Sequence, residues 1–398
     1  MSVVTNLAGA DTYVLQEAIS GYSDEAYTNA RKLSGTGIVG SNSDIDKNTE
    51  TFVGQLRWNK PINPQINVAS LTDSADGDLT TYSTDYLRYI KTVRTHGAMK
   101  VNMQQVVTQV DGLAKIGRDF GETQAQDEHN AILAVLRGVA LSEALNGAAA
   151  SAGGTGLGGQ TFDNDSEDAK YGFYVDLGAS KAIVDATTAI QGAARAEGFL
   201  RAFGMAYKDY EPEYAYLITS PEVFASLRSA NLVDQDRVVD GSISFDTIFQ
   251  GKFRIIQTRA SQGFSTAELA AVNGGAGVDI TGTKTSFIVL PGALAMENLD
   301  TPVPTEIDRN ASSYKGGGDT TIWRRWGYVL APAGYDWNGQ QDAFPSDAGY
   351  GSVVRGGSNY EDIVTAQTAE ATLATTVGAW TRKTNSALSL GILPVFHS

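Results

Sequence analysis

Residues 113–146 (LAKIGRDFGETQAQDEHNAILAVLRGVALSEALN) constrain this chain most, because they read as one long helix. The second half places Ile132, Val135, Leu136, Val139 and Ala140 at a helical spacing, an apolar stripe that must be covered. Asp119, Glu122, Asp127 and Glu128 in the middle suit a solvated face. The stretch has no proline, and glycine-rich sequence from Gly147 marks its end. Such a helix spans roughly 50 Å, against a usual length of about 11–12 residues, and serves as a spine for other layers. The alternative is two ordinary helices broken near Gly117 or Gly121.

The rest of the chain is apolar enough to wrap that spine. Of 398 residues, 42% are hydrophobic, which supports a sizeable core and two or three domains by length. The 45 acidic and 30 basic residues give a formal charge of −15, which argues against coating a phosphate backbone but not against enclosing one. The absence of cysteine removes disulfides, thiolate chemistry and cysteine-ligated metals. The opening MSVVTNLAGADTYVLQ lacks the basic and apolar regions of a secretory signal, and no run has the length and apolarity of a membrane span. A soluble protein that stays where it is made is expected.

Residues 1–50 read as an extended arm with a short helix around residues 24–33. The run 51–58 (TFVGQLRW) alternates, with Phe52, Gly54, Leu56 and Trp58 on one side, as a strand does. A second strand, 86–95 (YLRYIKTVRT), answers it across a connection too long for a tight hairpin. The charge here is lopsided. Residues 61–85 hold Asp73, Asp76, Asp78 and Asp85 without a cation, whereas the return strand holds Arg88, Lys91 and Arg94 without an acid. A solvated loop beside a solvated strand is the plain reading; a projecting hairpin that docks on a neighbouring molecule by opposite charge is the sharper one.

Beyond the spine, residues 147–177 read as a glycine-rich and acidic loop, and 179–203 as a second helix. A buried strand at 214–219 leads into a helix with Ser220 as N-cap and Pro221 in its first turn. Further strands are predicted at 252–258 and 286–291, with a loop at 261–284 between them. The aromatic run 320–334 reads as a long strand returning to the spine, and the apolar patches near the C-terminus as a segment that docks back on the body.

No set of residues assembles into an active site. Gly35-Thr-Gly37-Ile-Val-Gly40 matches a dinucleotide-binding pattern, but helical sequence precedes it and loop sequence follows, the wrong context for a phosphate turn. The glycines at 153–159 lack the Lys-Ser/Thr ending of a phosphate loop. His96, His129 and His397 are scattered, and His129 has no second histidine one helical turn away. No catalytic residue, metal ligand or cofactor is therefore expected, and a structural or binding role is.

The order of arm, long two-stranded loop, spine helix, compact mixed domain and return strand resembles the major capsid proteins of tailed bacteriophages, the Hong Kong 97-type fold. The stretches YAYLITSPEVFASLRSANL (214–232), SFDTIFQGKFRIIQT (244–258), SFIVLPGALAMENL (286–299) and WRRWGYVLAPAGYDW (323–337) resemble the family's strand and helix segments. The resemblance implies an α+β fold with an N-terminal arm at 1–50 and an extended loop at 51–98. It further implies a peripheral domain at 99–177 and 299–340 that carries the spine (113–146), an axial domain at 178–298, and a C-terminal extension at 341–398 that docks on the body. It implies self-assembly into pentamers and hexamers of an icosahedral shell around double-stranded DNA, in the virion and assembled in host cytoplasm. Implied partners are further copies of the chain, a portal protein, a separate scaffolding protein and a decoration or cement protein, with no membrane. Asp73, Asp76, Asp78, Asp85, Arg88, Lys91 and Arg94 are the candidate intersubunit contacts.

Two departures from the family pattern shape the expectations. Residues 61–87 hold no lysine, so no cross-link through the loop is expected, and only about 50 residues precede the loop, too few for a cleaved scaffolding region. The competing roles are an encapsulin-type compartment shell, an acidic surface-layer protein and, from GTGIVG alone, a nucleotide-dependent enzyme.

Overall fold

The computed structural model describes residues 7–31, 33–42, 44–59, 84–101, 112–150, 173–176, 198–200, 202–204, 206–207, 212–234, 237–240, 243–258, 284–316, 318–337, 380–383 and 389–397. Several expected features lie outside them: the loop between the first two long strands, the acidic patch at 163–168, most of the second helix, the insert at 261–283 and the polar tail from 340.

In chain order the elements begin with helix α1 (Leu7–Ala30) and strands β1 (Val39–Gly40), β2 (Val53–Asn59) and β3 (Thr84–Val101). Helix α2 (Gly112–Ala150), β4 (Val175–Asp176), β5 (Ala215–Thr219), helix α3 (Pro221–Ser229), β6 (Val238–Asp240), β7 (Ile243–Ile248) and β8 (Phe253–Gln257) follow. The chain continues with β9 (Lys284–Val289), β10 (Leu294–Asn298), β11 (Thr305–Asn310), β12 (Asp319–Pro332) and β13 (Tyr335–Trp337). It closes with β14 (Trp380–Arg382) and β15 (Ile392–His397). The architecture is α+β.

The spine is a single helix of 39 residues, about 58 Å long. It runs unbroken through Gly117 and Gly121 and continues past Gly147 into three alanines, the best helix formers, which offset a lone glycine costing about 1 kcal/mol. Ile132, Val135, Leu136, Val139 and Ala140 are all fully buried, as the stripe predicts. Ala131, Leu133 and Ala134 are buried too, so this half of the helix is enclosed all round rather than along one face.

The glycines that read as possible breaks have a different use. Helix α1 runs beside α2 in the same direction and lies directly on them: a Cβ on Gly117 would stand 2.9 Å from Tyr22 Cβ, and one on Gly121 would stand 2.2 Å from the Ser23 carbonyl oxygen. Glycine at both ends of one turn lets the two backbones approach closely. The arm's helix is therefore 24 residues long rather than a short turn around 24–33. Ile19 is buried against Phe120 of the spine and Ile322 of β12, and that burial stabilises the helix where its own sequence propensity is modest.

Two sheets flank the spine. One has six strands in the order β1-β10-β12-β3-β2, with β11 paired to β12 beyond the end of β10. Its backbone is the antiparallel pairing of β12 with β3, from Asp319 opposite Val101 to Val329 opposite Lys91. The other has seven strands in the order β4-β15-β9-β5-β8-β7-β6. Its central strand β5 is buried at every position, parallel to β8 and antiparallel to β9. Ser220 caps α3 as its sequence predicts, accepting the Val223 N–H at 3.3 Å, while Val223, Phe224 and Leu227 face the core. The last strand, β15, lies fully buried between β9 and β4, so the end of the chain is built into the sheet formed by 215–289.

Glycine 121 yields a signed test. Gly121→Ala forces α1 off the spine, and overpacking of this kind costs about 1–3 kcal/mol. Gly21→Ala, on the open side of α1 with nothing within 4 Å, gains about 1 kcal/mol from helix propensity alone. The first variant is expected to unfold at lower denaturant than the parent and the second at higher; midpoints shifted in the same direction would show that α1 does not rest on this glycine.

Candidate functional site

Charge buried along the spine and at the root of the β2–β3 hairpin sets this region apart. Two acids expected on a solvated face are in fact inside: Asp119 and Glu122 are exposed, but Asp127 is 9% and Glu128 0% exposed. The reason is that β12, β3 and α1 bring donors to them. Trp326 Nε1 and Tyr328 Oη from β12 donate to Asp127 Oδ2 at 3.2 and 2.9 Å, and Arg94 Nε of β3 lies 3.5 Å from Oδ1. Tyr27 Oη of α1 donates to Glu128 Oε2 at 2.8 Å, and Gln124 Nε2 reaches Oε1 at 3.4 Å. A third acid, Glu143, is fully buried further along; its Oε2 accepts the Phe173 N–H at 2.7 Å and Arg382 Nη1 at 3.0 Å. Removing one partner of such a pair strands a buried charge, which costs about 3–5 kcal/mol.

The hairpin leaves the six-stranded sheet with its strands paired from Val53 opposite Ile90 to Asn59 opposite Thr84. Tyr89 lies flat across Gly54, directly opposite it in register, where a Cβ would come within 2.3 Å of the ring. Three cations on β3 engage acids of the same chain. Arg88 Nη2 meets Asp336 Oδ2 of β13 at 2.7 Å, and the Arg88 backbone N–H donates to Oδ1 at 2.6 Å. Lys91, with no exposed surface, donates to Asp46 Oδ2 at 2.7 Å, to Thr51 Oγ1 at 3.1 Å and to the Asn48 carbonyl. Arg94 meets Asp127, as above. Asp85 is described and donor-bound to its neighbour, its Oδ1 accepting the Tyr86 N–H at 2.8 Å, whereas Asp73, Asp76 and Asp78 lie outside the described residues.

These contacts move the acid–base balance in both directions. Hydrogen bonds from Lys91 and from the Asn48 N–H hold the half-exposed Asp46 carboxyl below its ordinary value. The hydrogen bond to Asp336 holds the Arg88 guanidinium above its own. Burial pushes the Glu128 carboxyl up from 4.5, with the Tyr27 and Gln124 hydrogen bonds pulling partway back. Tyr27 in turn is raised by burial and by the Glu128 charge.

The sequence anticipated little of this. Asp336 interrupts an aromatic run (GYDW) and Glu143 an apolar one (VALSEAL), and an acid in such company is a legible sign of a buried partner. Asp127 and Glu128 sit among polar neighbours and leave no such sign. The glycine run 35–40 follows α1 and leads into the short strand β1, rather than linking a strand to a helix as a dinucleotide turn does. Ser286 Oγ and His397 Nε2 stand 2.9 Å apart, but both are fully buried within the seven-stranded sheet, and Ser286 also meets Thr219 Oγ1 at 2.9 Å. The trio satisfies its own polar atoms in a place closed to substrate. Among the described residues, no group of three or more His, Cys, Asp or Glu is placed to hold a metal ion, and no helix is long and apolar enough to cross a membrane.

Glu128 sets the sign of one pH effect. Its carboxyl binds a proton more tightly in the native state than in the unfolded chain, so its contribution to stability is complete below 4.5 and is lost as pH rises through the native value. Glu128→Gln removes that loss. The variant is expected to gain stability relative to the parent as pH rises above about 4.5, read from denaturant midpoints across the range; parallel curves would overturn this assignment.

No family model matches the sequence, and no curated protein matches it. Among solved structures, the chain is similar to the capsid of Ralstonia phage GP4, with 13% identity, a TM-score of 0.45 and coverage of 79% of this chain and 88% of that one. It is similar also to the head structure of Helicobacter pylori bacteriophage KHP40, with 8% identity, a TM-score of 0.44 and coverage of 93% and 91%. A third likeness is to the capsid asymmetric unit of cyanophage Pam1, with 13% identity, a TM-score of 0.41 and coverage of 78% and 88%.

Proposed function

We propose that this chain is a structural subunit of a closed protein shell, the major capsid protein of a tailed phage. The observation that carries the reading is the β2–β3 hairpin. Its root is gripped by acids of its own chain, while Tyr86 on β3 remains 58% exposed and Phe52, just before β2, 37%. An arm held that firmly at its base, with aromatic surface left open, is suited to be covered by a second molecule. The α+β fold with its long spine helix accords with the fold that the sequence resemblance implies.

On this reading copies assemble as pentamers and hexamers into an icosahedral shell around double-stranded DNA, in host cytoplasm and then the virion. The hairpin reaches a neighbouring copy. Asp73, Asp76, Asp78 and Asp85 supply its acidic side, and Arg88, Lys91 and Arg94 set its angle at the root. Residues 1–50, 51–98, 99–177 with 299–340, 178–298 and 341–398 act as arm, extended loop, peripheral domain, axial domain and C-terminal extension. A portal protein, a separate scaffolding protein and a decoration protein are the expected partners. Net negative charge keeps the wall from gripping the DNA it encloses. The chain itself carries out no chemistry.

The test is negative-stain microscopy of the purified protein, alone and with extract of infected cells, beside a variant in which a short Gly-Ser turn replaces residues 60–83. The parent is expected to form closed shells or five- and six-membered rings. The variant is expected to keep its circular dichroism and unfolding midpoint yet form neither. A parent that stays monomeric under both conditions would sink the proposal, and shells that hold a protein cargo in place of DNA would reassign it to a compartment.

A further inference from the structure

The short β13–β14 ribbon joins three parts of the molecule that are otherwise remote in sequence. β13 and β14 pair antiparallel, Tyr335 opposite Arg382 and Trp337 opposite Trp380. On one side β14 is fastened to the spine: Arg382, 6% exposed, meets the fully buried Glu143 at 3.0 Å, and the Trp380 N–H donates to Ser142 Oγ at 3.2 Å. The two tryptophans pack edge to face, centroids 4.9 Å apart. Tyr335 lies close enough to Glu143 for that charge, after burial itself, to hold its phenol well above the ordinary value.

On the other side β13 is fastened to the hairpin. The ladder between β12 and β3 stops with Val329 opposite Lys91. Toward the loop, the N–H of Arg88 has no strand carbonyl to meet, and the Asp336 carboxylate takes it at 2.6 Å while also binding the guanidinium of the same residue. Lys383, directly after β14, lies 3.6 Å from that carboxylate. Asp336 is 2% exposed, so these partners are its compensation for leaving water. One buried acid thus ends the ladder where the hairpin departs, and the strand that carries it is held in place by a strand from near the end of the chain.

We infer that the β13–β14 ribbon is a latch that couples the C-terminal segment to the stance of the hairpin: with β14 seated on the spine, Asp336 is aimed at Arg88 and the hairpin root is fixed; with β14 displaced, the root is released. The coupling belongs to the single chain and stands independently of shell assembly. Its consequence is a route by which whatever engages the C-terminal segment sets the direction in which the hairpin points, through a contiguous set of packed and hydrogen-bonded groups.

Hydrogen exchange on the full-length chain tests it. Asp336→Asn cuts the latch at the hairpin. Glu143→Gln with Arg382→Met cuts it at the spine without leaving a charge unpaired. Lys284→Gln, in an exposed pair with Glu222, is the control. Both latch variants are expected to speed exchange of amides 84–90 by roughly tenfold or more, with amides of β5 and β9 unchanged and the control silent. Acceleration in the double variant confined to residues 140–144 and 380–383 would overturn the coupling, as would equal acceleration throughout both sheets, which would make the ribbon ordinary core. If the double variant does not fold, Arg382→Lys, which keeps the charge and loses the planar fork, makes the same comparison.

Discussion

The spine helix carries three carboxylates into the interior, and the rest of the chain is arranged to meet them. A buried acid without donors costs more than a fold of this size can spare, so each must be answered by groups that arrive from elsewhere. Asp127 is answered by β12 and β3, Glu128 by the arm helix, and Glu143 by residue 173 and by Arg382. The helix is thereby the place where five separate segments are registered against one another. Apolar packing would hold those segments close; the directed hydrogen bonds determine which residue of each lies at which turn.

The same device recurs at the hairpin. Lys91 is fully buried and Arg88 partly so, and each is bound to an acid from a different segment, Asp46 before the hairpin and Asp336 after the long return strand. Pairing of this sort resists bending because a tilt of the strand would break several charge-assisted bonds at once. A long arm needs such a root if it is to present its outer surface in one direction. Phe52 and Tyr86 are the large aromatics exposed beside that root.

The arm helix shows how small residues can determine packing as firmly as large ones. Gly117 and Gly121 open a groove one turn long, α1 lies in it backbone to backbone, and Ile19 then reaches Phe120 and Ile322 beneath. Gly97 under Trp323 and Gly54 under Tyr89 are sheet versions of the same exchange, an aromatic ring laid across a strand where a side chain is absent. None of these glycines adopts a left-handed backbone; they are needed for space.

What the sequence determined by itself was local: the apolar period of the spine, the alternation of β2, the Ser-Pro start of α3 and the apolar runs of β5, β8 and β9 all follow from spacing and propensity, and each appears within a few residues of its expected place. The α+β class follows from those elements, and so does the presence of a long connection between two strands. Only the tertiary structure decided the use of residues whose local meaning is ambiguous. Gly117 and Gly121 read only as possible breaks in a single helix until a second helix lies on them. Asp127 and Glu128 read as surface until β12 and α1 supply donors. Arg88, Lys91 and Arg94 read as free charge until Asp336, Asp46 and Asp127 arrive from 248, 45 and 33 positions away along the chain. The reason is physical: a period or a cap is a property of neighbours in sequence, whereas the cost of burying a charge depends on which partner the fold brings to it.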